Sequence, residues 1–147
     1  MKFMSRLDKA LREVGDGETT VPRNGAFQYE SVITVESKAV PGVRFAIHRI
    51  SFGRRMELSR RVRELSRKAE FLEAGTEMHE KIEASILAQE IDAMYLHWGL
   101  LNIEGLFIDG EPATAVRLLE KGPEELTREV VSAIKEQCGL SESERKN

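Results

Sequence analysis

The chain has 147 residues, of which 41% are hydrophobic and 32% are charged, and its formal net charge is −3. This length fits one domain, and the composition is too apolar for wholesale disorder. The charged N-terminal residues, with no long apolar run after them, predict neither a signal peptide nor a membrane span. A single cysteine, Cys138, excludes an intramolecular disulfide and fits a reducing compartment, so we expect a cytoplasmic protein.

Residues 1–30 predict a short amphipathic helix followed by a flexible linker. Apolar side chains recur within 3–14 at spacings of three, four and three, and the polar stretch that follows contains Pro22 and Gly25. A helix of about three turns is marginal alone in water, so its apolar face must dock on this domain or on a partner. That face consists of Met4, Leu7, Leu11 and Val14.

Residues 31–140 predict a single globular domain of the α+β class, mostly helical, and residues 141–147 predict a charged tail. Two β-prone runs flank Pro41-Gly42. Such runs on either side of a turn signal are typical of a β-hairpin. We therefore expect this domain to begin with an N-terminal β-hairpin.

The centre of the chain predicts two long helices, over residues 52–74 and 77–98, packed antiparallel as an αα-hairpin. Ser51 and Thr76 are the predicted N-caps, and Gly75 ends the first helix. Apolar residues in both helices alternate spacings of three and four, which is typical of a coiled-coil seam. The first seam holds Leu58, Val62, Leu65, Ala69 and Leu72; the second holds Ala84, Leu87, Ile91, Met94 and Trp98, widened by Ile82, Ile86 and Tyr95.

Charge is distributed unevenly along the chain. Residues 1–73 hold 15 Lys/Arg against 10 Asp/Glu (+5), and residues 74–147 hold 7 against 15 (−8). This asymmetry suits a nucleic-acid arm or two halves that attract each other. Charged residues recur seven apart beside each seam, which favours ion pairs across the helical hairpin, each contributing up to about 1 kcal/mol. The basic set is Arg54, Arg61 and Lys68, and the acidic set is Glu83 and Glu90.

The last third of the chain predicts a short β/turn segment and a C-terminal helix. A short apolar run before Asp109-Gly110 indicates a tight turn, and a short helix over 114–120 follows. Pro123 and the carboxylates after it suit the first turn of the final helix, which Gly139 ends. Its buried face is predicted to hold Leu126, Val130, Ala133, Ile134 and Gln137.

No residues have the spacing of a catalytic, metal or phosphate site, so we expect no enzyme activity, no metal and no cofactor. The three histidines fall on separate elements, and no glycine turn is followed by the Lys-Ser/Thr of a phosphate loop. Cys138 lies near a helix C-terminus, where we expect a half-buried, unreactive thiol. Asp109 and Glu111 could be a functional pair of carboxylates, but a polar hairpin turn explains both residues. The histidines are His48, His79 and His97.

Two features of the sequence, the basic helix 52–74 and Trp98, each allow both a functional and a structural interpretation. The basic helix 52–74 could contact nucleic-acid phosphates, which would make the chain a nucleic-acid-associated regulatory protein. Interleaved glutamates favour a solvated or protein-binding face. Trp98 either anchors a partner, as tryptophan often does at interfaces, or packs in the core as the end of the seam. The basic residues are Arg54, Arg55, Arg60, Arg61, Arg63, Arg67 and Lys68.

Three short sequence segments follow one another in the second half of the chain. The helical pair leads to Tyr95-Leu96-His97-Trp98-Gly99-Leu100-Leu101-Asn102-Ile103, and then to Glu104-Gly105-Leu106-Phe107-Ile108-Asp109-Gly110-Glu111-Pro112-Ala113-Thr114. Pro123-Glu124-Glu125-Leu126 opens the final helix. This order resembles the tail-assembly chaperones of long-tailed bacteriophages and prophages. The resemblance covers roughly residues 30–140, and its one compact motif is about ten residues long.

The resemblance implies a virion-assembly factor that is absent from the finished particle. Such proteins coat the long, hydrophobic, helical tape-measure protein, keep it soluble and help to recruit tail-tube subunits in the bacterial host cytoplasm. Many oligomerise, and many have a longer form made by programmed ribosomal frameshifting. Apolar helix faces suit such binding. The candidate partner-binding residues in this chain are Met4, Leu7, Leu11, Val14 and Trp98.

Overall fold

The computed structural model describes residues 25–139, so the predicted helix at 3–14 and the predicted tail lie outside the described residues. Within this range the α+β class is confirmed. No helix in the range is both long and apolar enough to cross a membrane. The elements are β1 (Val32–Glu36), β2 (Arg44–His48), α1 (Phe52–Glu73), α2 (Met78–Gly99), β3 (Leu100–Glu104), β4 (Phe107–Ile108), β5 (Glu111–Pro112), α3 (Ala115–Lys121) and α4 (Glu124–Gln137).

The predicted β-hairpin is confirmed and forms two-thirds of a three-stranded sheet. β1 and β2 pair antiparallel, and the turn between them contains Gly42 at a φ of +92°, where a side chain would be strained. β3 pairs antiparallel with the other edge of β2, which gives the strand order β1-β2-β3. Phe45 and Ile47 of the central strand are therefore buried almost completely.

The long αα-hairpin is also confirmed, with helix ends within two residues of those predicted. The Ser51 hydroxyl caps α1 by accepting a hydrogen bond from the Arg54 N–H at 3.2 Å. The prediction that Thr76 caps the second helix is wrong. An N-cap directly precedes the first helical residue, and α2 begins at Met78, so Glu77 holds that position without a capping side-chain hydrogen bond.

The core lies between the sheet, the C-terminal half of α2, and α3 with α4. Leu96 of α2 and Leu118 of α3 are fully buried. The predicted apolar face of the final helix also lies there. Its residues Leu126, Val130 and Ile134 are fully buried, and Ala133 packs at the edge of the core.

The tight turn predicted at Asp109-Gly110 joins β4 to β5. Both residues have positive φ, 51° and 80°, which a two-residue hairpin turn of this kind requires. The short helix α3 follows, capped by the Thr114 hydroxyl, which accepts from the Arg117 N–H at 3.1 Å. This part of the chain thus follows its local sequence signals closely.

The predicted ion pairs across the αα-hairpin are wrong. None of the ion pairs among residues 25–139 joins α1 to α2. Arg61 instead pairs at 2.7 Å with Glu57 one turn away on its own helix, where less side-chain ordering is needed. Arg54 turns inward, and its guanidinium donates to the Trp98 carbonyl at 2.6 Å.

One carboxylate fastens the β1–β2 loop to α4. Glu129 accepts hydrogen bonds from the Ser37 hydroxyl at 2.5 Å and from the Lys38 N–H at 2.7 Å, with a longer one from the Ala39 N–H. Burial by itself would raise the pKa of Glu129. The hydrogen bonds outweigh burial and hold this pKa below its ordinary value.

Replacing Glu129 by glutamine is expected to lower the free energy of unfolding at neutral pH by about 1–2 kcal/mol, because hydrogen bonds to a charged acceptor are stronger than those to an amide. The folded-state pKa is depressed, so this stabilisation is complete above the unfolded-chain pKa of about 4.3 and is lost as the pH falls through the folded value. Urea unfolding at a series of pH values should show the two proteins converging in acid. A difference that stays constant with pH would contradict this origin.

Candidate partner-binding surface

Three apolar side chains line one exposed face of α2. Met78, Ile82 and Ile86 are spaced four apart, which keeps them within about 80° of arc on a helix. They are 73%, 54% and 49% exposed, respectively. We call these three residues the α2 stripe. Large apolar side chains in such an array are typical of a helix that binds a partner.

The same face of α2 is covered at its other end. Ala93 and Leu96 continue the stripe by helical spacing, and Leu96 lies in the core. Helix α4 reaches α2 at Asp92, where the Lys135 ammonium meets the Asp92 carboxylate at 2.5 Å near the end of α4. Within residues 25–139, this face of α2 is therefore buried near its C-terminal end, where α4 packs, and exposed toward its N-terminal end.

The sequence prediction placed Ile82 and Ile86 in the seam toward α1, and this is wrong. Tyr95, the third residue of that group, is buried as expected. Nine residues along a helix correspond to about 180° of rotation, so Ile82 lies opposite the seam residue Ile91. A helical-wheel projection, at about 100° per residue, separates Ile82 and Ile86 from the seam residues.

Of the predicted partner-binding residues, only Trp98 lies in the described part of the chain; Met4, Leu7, Leu11 and Val14 lie outside it. Trp98 is 6% exposed, within the core cluster. The Arg54 guanidinium lies over its ring, 4.3 Å from the centroid. Core packing is therefore the alternative found for Trp98, whose side chain is almost completely buried.

Two further titratable groups, both influenced by Arg54, have shifted pKa values. Burial, with the positive charge of Arg54, lowers the pKa of His48. Burial raises the pKa of the Cys138 thiol, against the opposing effect of Arg55 and Arg54. The thiol is fully buried, whereas the sequence predicted half-burial. Across residues 25–139, no three His, Cys, Asp or Glu side chains are placed to hold a metal ion.

The carboxylates of Asp109 and Glu111 each face a cation on α3. Asp109 lies 3.9 Å from the Lys121 ammonium, and Glu111 lies 3.8 Å from the Arg117 guanidinium. All four side chains are at least 42% exposed. The two carboxylates thus help to hold the β4–β5 turn against α3, at about 0–1 kcal/mol per exposed pair.

Comparison of the chain with protein-family models, curated proteins and solved structures finds no match.

Proposed function

We propose that this chain is a tail-assembly chaperone of a phage or prophage, which binds the tape-measure protein through the α2 stripe. It would act in the host cytoplasm, assist tail-tube assembly and be absent from the finished particle. The observation that carries the proposal is the α2 stripe, an apolar helix face left open on a long helical hairpin. The resemblance of residues 95–114 to tail-assembly chaperones points to the tape measure as the partner.

The physical chemistry of the stripe fits a helical, hydrophobic client. Anchors at i, i+4 and i+8 match the apolar face of another helix, as in helix-in-groove recognition. Burying one large aliphatic side chain contributes about 1.5–3 kcal/mol before association costs are subtracted. A long tape measure offers many such turns, so several chaperone copies could cover it. Each contact would remove apolar surface of both proteins from water, which is what keeping a client soluble requires.

The nucleic-acid alternative loses part of its basis in the structure. Arg54 donates to the Trp98 carbonyl, and Arg55 donates to the Cys138 carbonyl at 2.9 Å. Arg61 is paired with Glu57. Three of the seven basic residues of α1 are thus engaged within the domain.

The direct test is co-expression with the tape-measure protein of the phage or prophage that carries this gene. We expect the chain to raise the soluble fraction of the tape measure and to co-purify with it. Ile82→Glu should weaken this binding by about tenfold or more, because a carboxylate in the middle of the stripe would be buried without a partner. Co-purification and titration of a tape-measure peptide by calorimetry would measure the loss.

Lys81→Gln is the control for charge. Lys81 is also exposed on α2, about 100° around the helix from Ile82, and the substitution lowers the net charge by the same amount. It should bind as the unmodified chain does. Equal loss in both variants would remove the stripe as the site, and no effect of the unmodified chain on tape-measure solubility would reject the function itself.

A further inference from the structure

A second exposed face lies on the other long helix of the hairpin. Met56, Arg60, Arg63, Arg67 and Phe71 follow one another on α1 at spacings of four, three, four and four. They fall within about 80° of arc, roughly opposite the seam toward α2, and span about 22 Å along the helix. All five side chains are exposed. We call these residues the basic face of α1.

The three arginines of the basic face have no partner within residues 25–139. Arg60, Arg63 and Arg67 make no hydrogen bond or ion pair there, whereas the arginines toward the body of the domain are engaged. Overall, α1 carries seven Lys/Arg against four Glu, a net charge of +3. The three guanidinium groups are thus free to bind an external group, and their spacing places them in one row.

Two apolar side chains bracket this row. Met56 is 46% exposed and Phe71 is 76% exposed. Water surrounds most of the Phe71 ring, so its apolar area stabilises nothing in the free domain. An aromatic side chain and a methionine beside arginines are residue types enriched at the centres of protein interfaces.

We propose that the basic face of α1 binds an acidic amphipathic helix of a partner protein. Carboxylates on the partner, spaced by one turn, pair with Arg60, Arg63 and Arg67. The planar guanidinium suits bidentate binding to carboxylates. Apolar residues at the two ends of the partner helix cover Met56 and Phe71. This surface lies on a different helix from the α2 stripe, so the proposal does not depend on the tape measure.

A protein partner is favoured over nucleic acid by what lies beside the arginines. Glu64 and Glu70 are exposed, about 60° from the centre of the row, and they would repel a continuous phosphate backbone. A helix with discrete carboxylates can avoid both. Phe71 is the one aromatic residue of the face, whereas binding of single-stranded nucleic acid relies on several stacking platforms.

The test uses a fluorescent helical peptide with three glutamates between two leucines, at the spacing of the five side chains. A second peptide carries glutamines in place of the glutamates, and a single-stranded oligonucleotide is the third probe. Fluorescence anisotropy at moderate salt should show binding of the glutamate peptide about tenfold or more tighter than that of the other two probes. Binding should weaken as salt rises, because the contacts are exposed charges.

Two double variants of the full chain locate the site. R60Q/R67Q should weaken binding of the glutamate peptide by about tenfold or more. R61Q/K68Q removes the same charge from another flank of the same helix and should change binding by less than about twofold. Glutamine has a helix propensity close to that of arginine, so both variants should fold, which circular dichroism would check.

The possible results separate clearly. Loss in R60Q/R67Q alone, with preference for the glutamate peptide, supports the proposal. Equal loss in both variants would assign binding to net charge and overturn it, as would failure to distinguish the glutamate peptide from the glutamine peptide. Tighter binding of the oligonucleotide, lost in R60Q/R67Q, would overturn it in favour of nucleic acid.

Discussion

Replacing Asp92 by alanine is expected to lower the free energy of unfolding by about 3 kcal/mol. Lys135 of α4 is 7% exposed, and its ammonium pairs with the Asp92 carboxylate at 2.5 Å while lying 5.2 Å from the centre of the Tyr95 ring. Without Asp92, a buried positive charge would keep only the ring as a partner. The effect falls at the lower end of the range for buried pairs, because the Asp92 side chain is half exposed. Urea unfolding followed by Trp98 fluorescence would measure it.

The double variant D92A/K135M is the control for this prediction. Methionine keeps an apolar stem against the Tyr95 ring and removes the charge, so most of the lost stability should return. This variant also shows whether the contact between α4 and α2 survives without the ion pair. If D92A lowers the free energy of unfolding by less than about 1 kcal/mol, water stabilises the Lys135 ammonium nearly as well as the Asp92 carboxylate does. That result would contradict the prediction.

Replacing Gly99 by alanine is expected to cost about 2–3 kcal/mol, because the core has no space for the added methyl group. A Cβ at Gly99 would lie 2.6 Å from Cγ2, 2.9 Å from Cγ1 and 3.0 Å from Cδ1 of Ile134. Ile134 is fully buried on α4, so its side chain cannot simply swing into water. Either α2 and α4 move apart or Ile134 leaves its rotamer. Thermal unfolding would show a midpoint lowered by several degrees.

A double-mutant cycle tests whether Ile134 is the cause. I134A alone should destabilise the protein by about 2–5 kcal/mol through the cavity it leaves. In that background the Gly99→Ala methyl group has space, and its added cost should fall below about 1 kcal/mol. If Gly99→Ala costs the same in both backgrounds, the strain lies elsewhere, for example in the exit of the chain from α2 into β3.

Local sequence signals sufficed for the helices and turns. The alternating three-and-four spacing predicted both long helices, since a helix buries one stripe whatever it packs against. Ser51 was identified as a cap because its hydroxyl acts on the backbone three residues away. Asp109-Gly110 was identified as a turn because few residue pairs tolerate two positive φ values.

Contacts between distant segments were not predictable in this way. The sequence indicated a short strand after α2, but not that β3 would complete the sheet of β1 and β2, because local alternation identifies a strand without identifying the strand that it pairs with. The inward turn of Arg54 to Trp98 was missed for the same reason. A long basic side chain has several partners within reach, and packing decides among them.

The α2 stripe and the basic face of α1 illustrate the difference between local sequence signals and tertiary contacts. The residues of the α2 stripe and of the basic face of α1 were visible in the sequence, and helical spacing alone determines that each set shares a face. Which face stays open depends on where α4 ends, since the outward face of α2 is buried at Leu96 and exposed from Ile86 to Met78. The sequence by itself therefore determined the helices, the cap at Ser51 and the apolar rows. Only the tertiary structure decided which rows became core and which stayed exposed among residues 25–139, because burial depends on every neighbouring element at once.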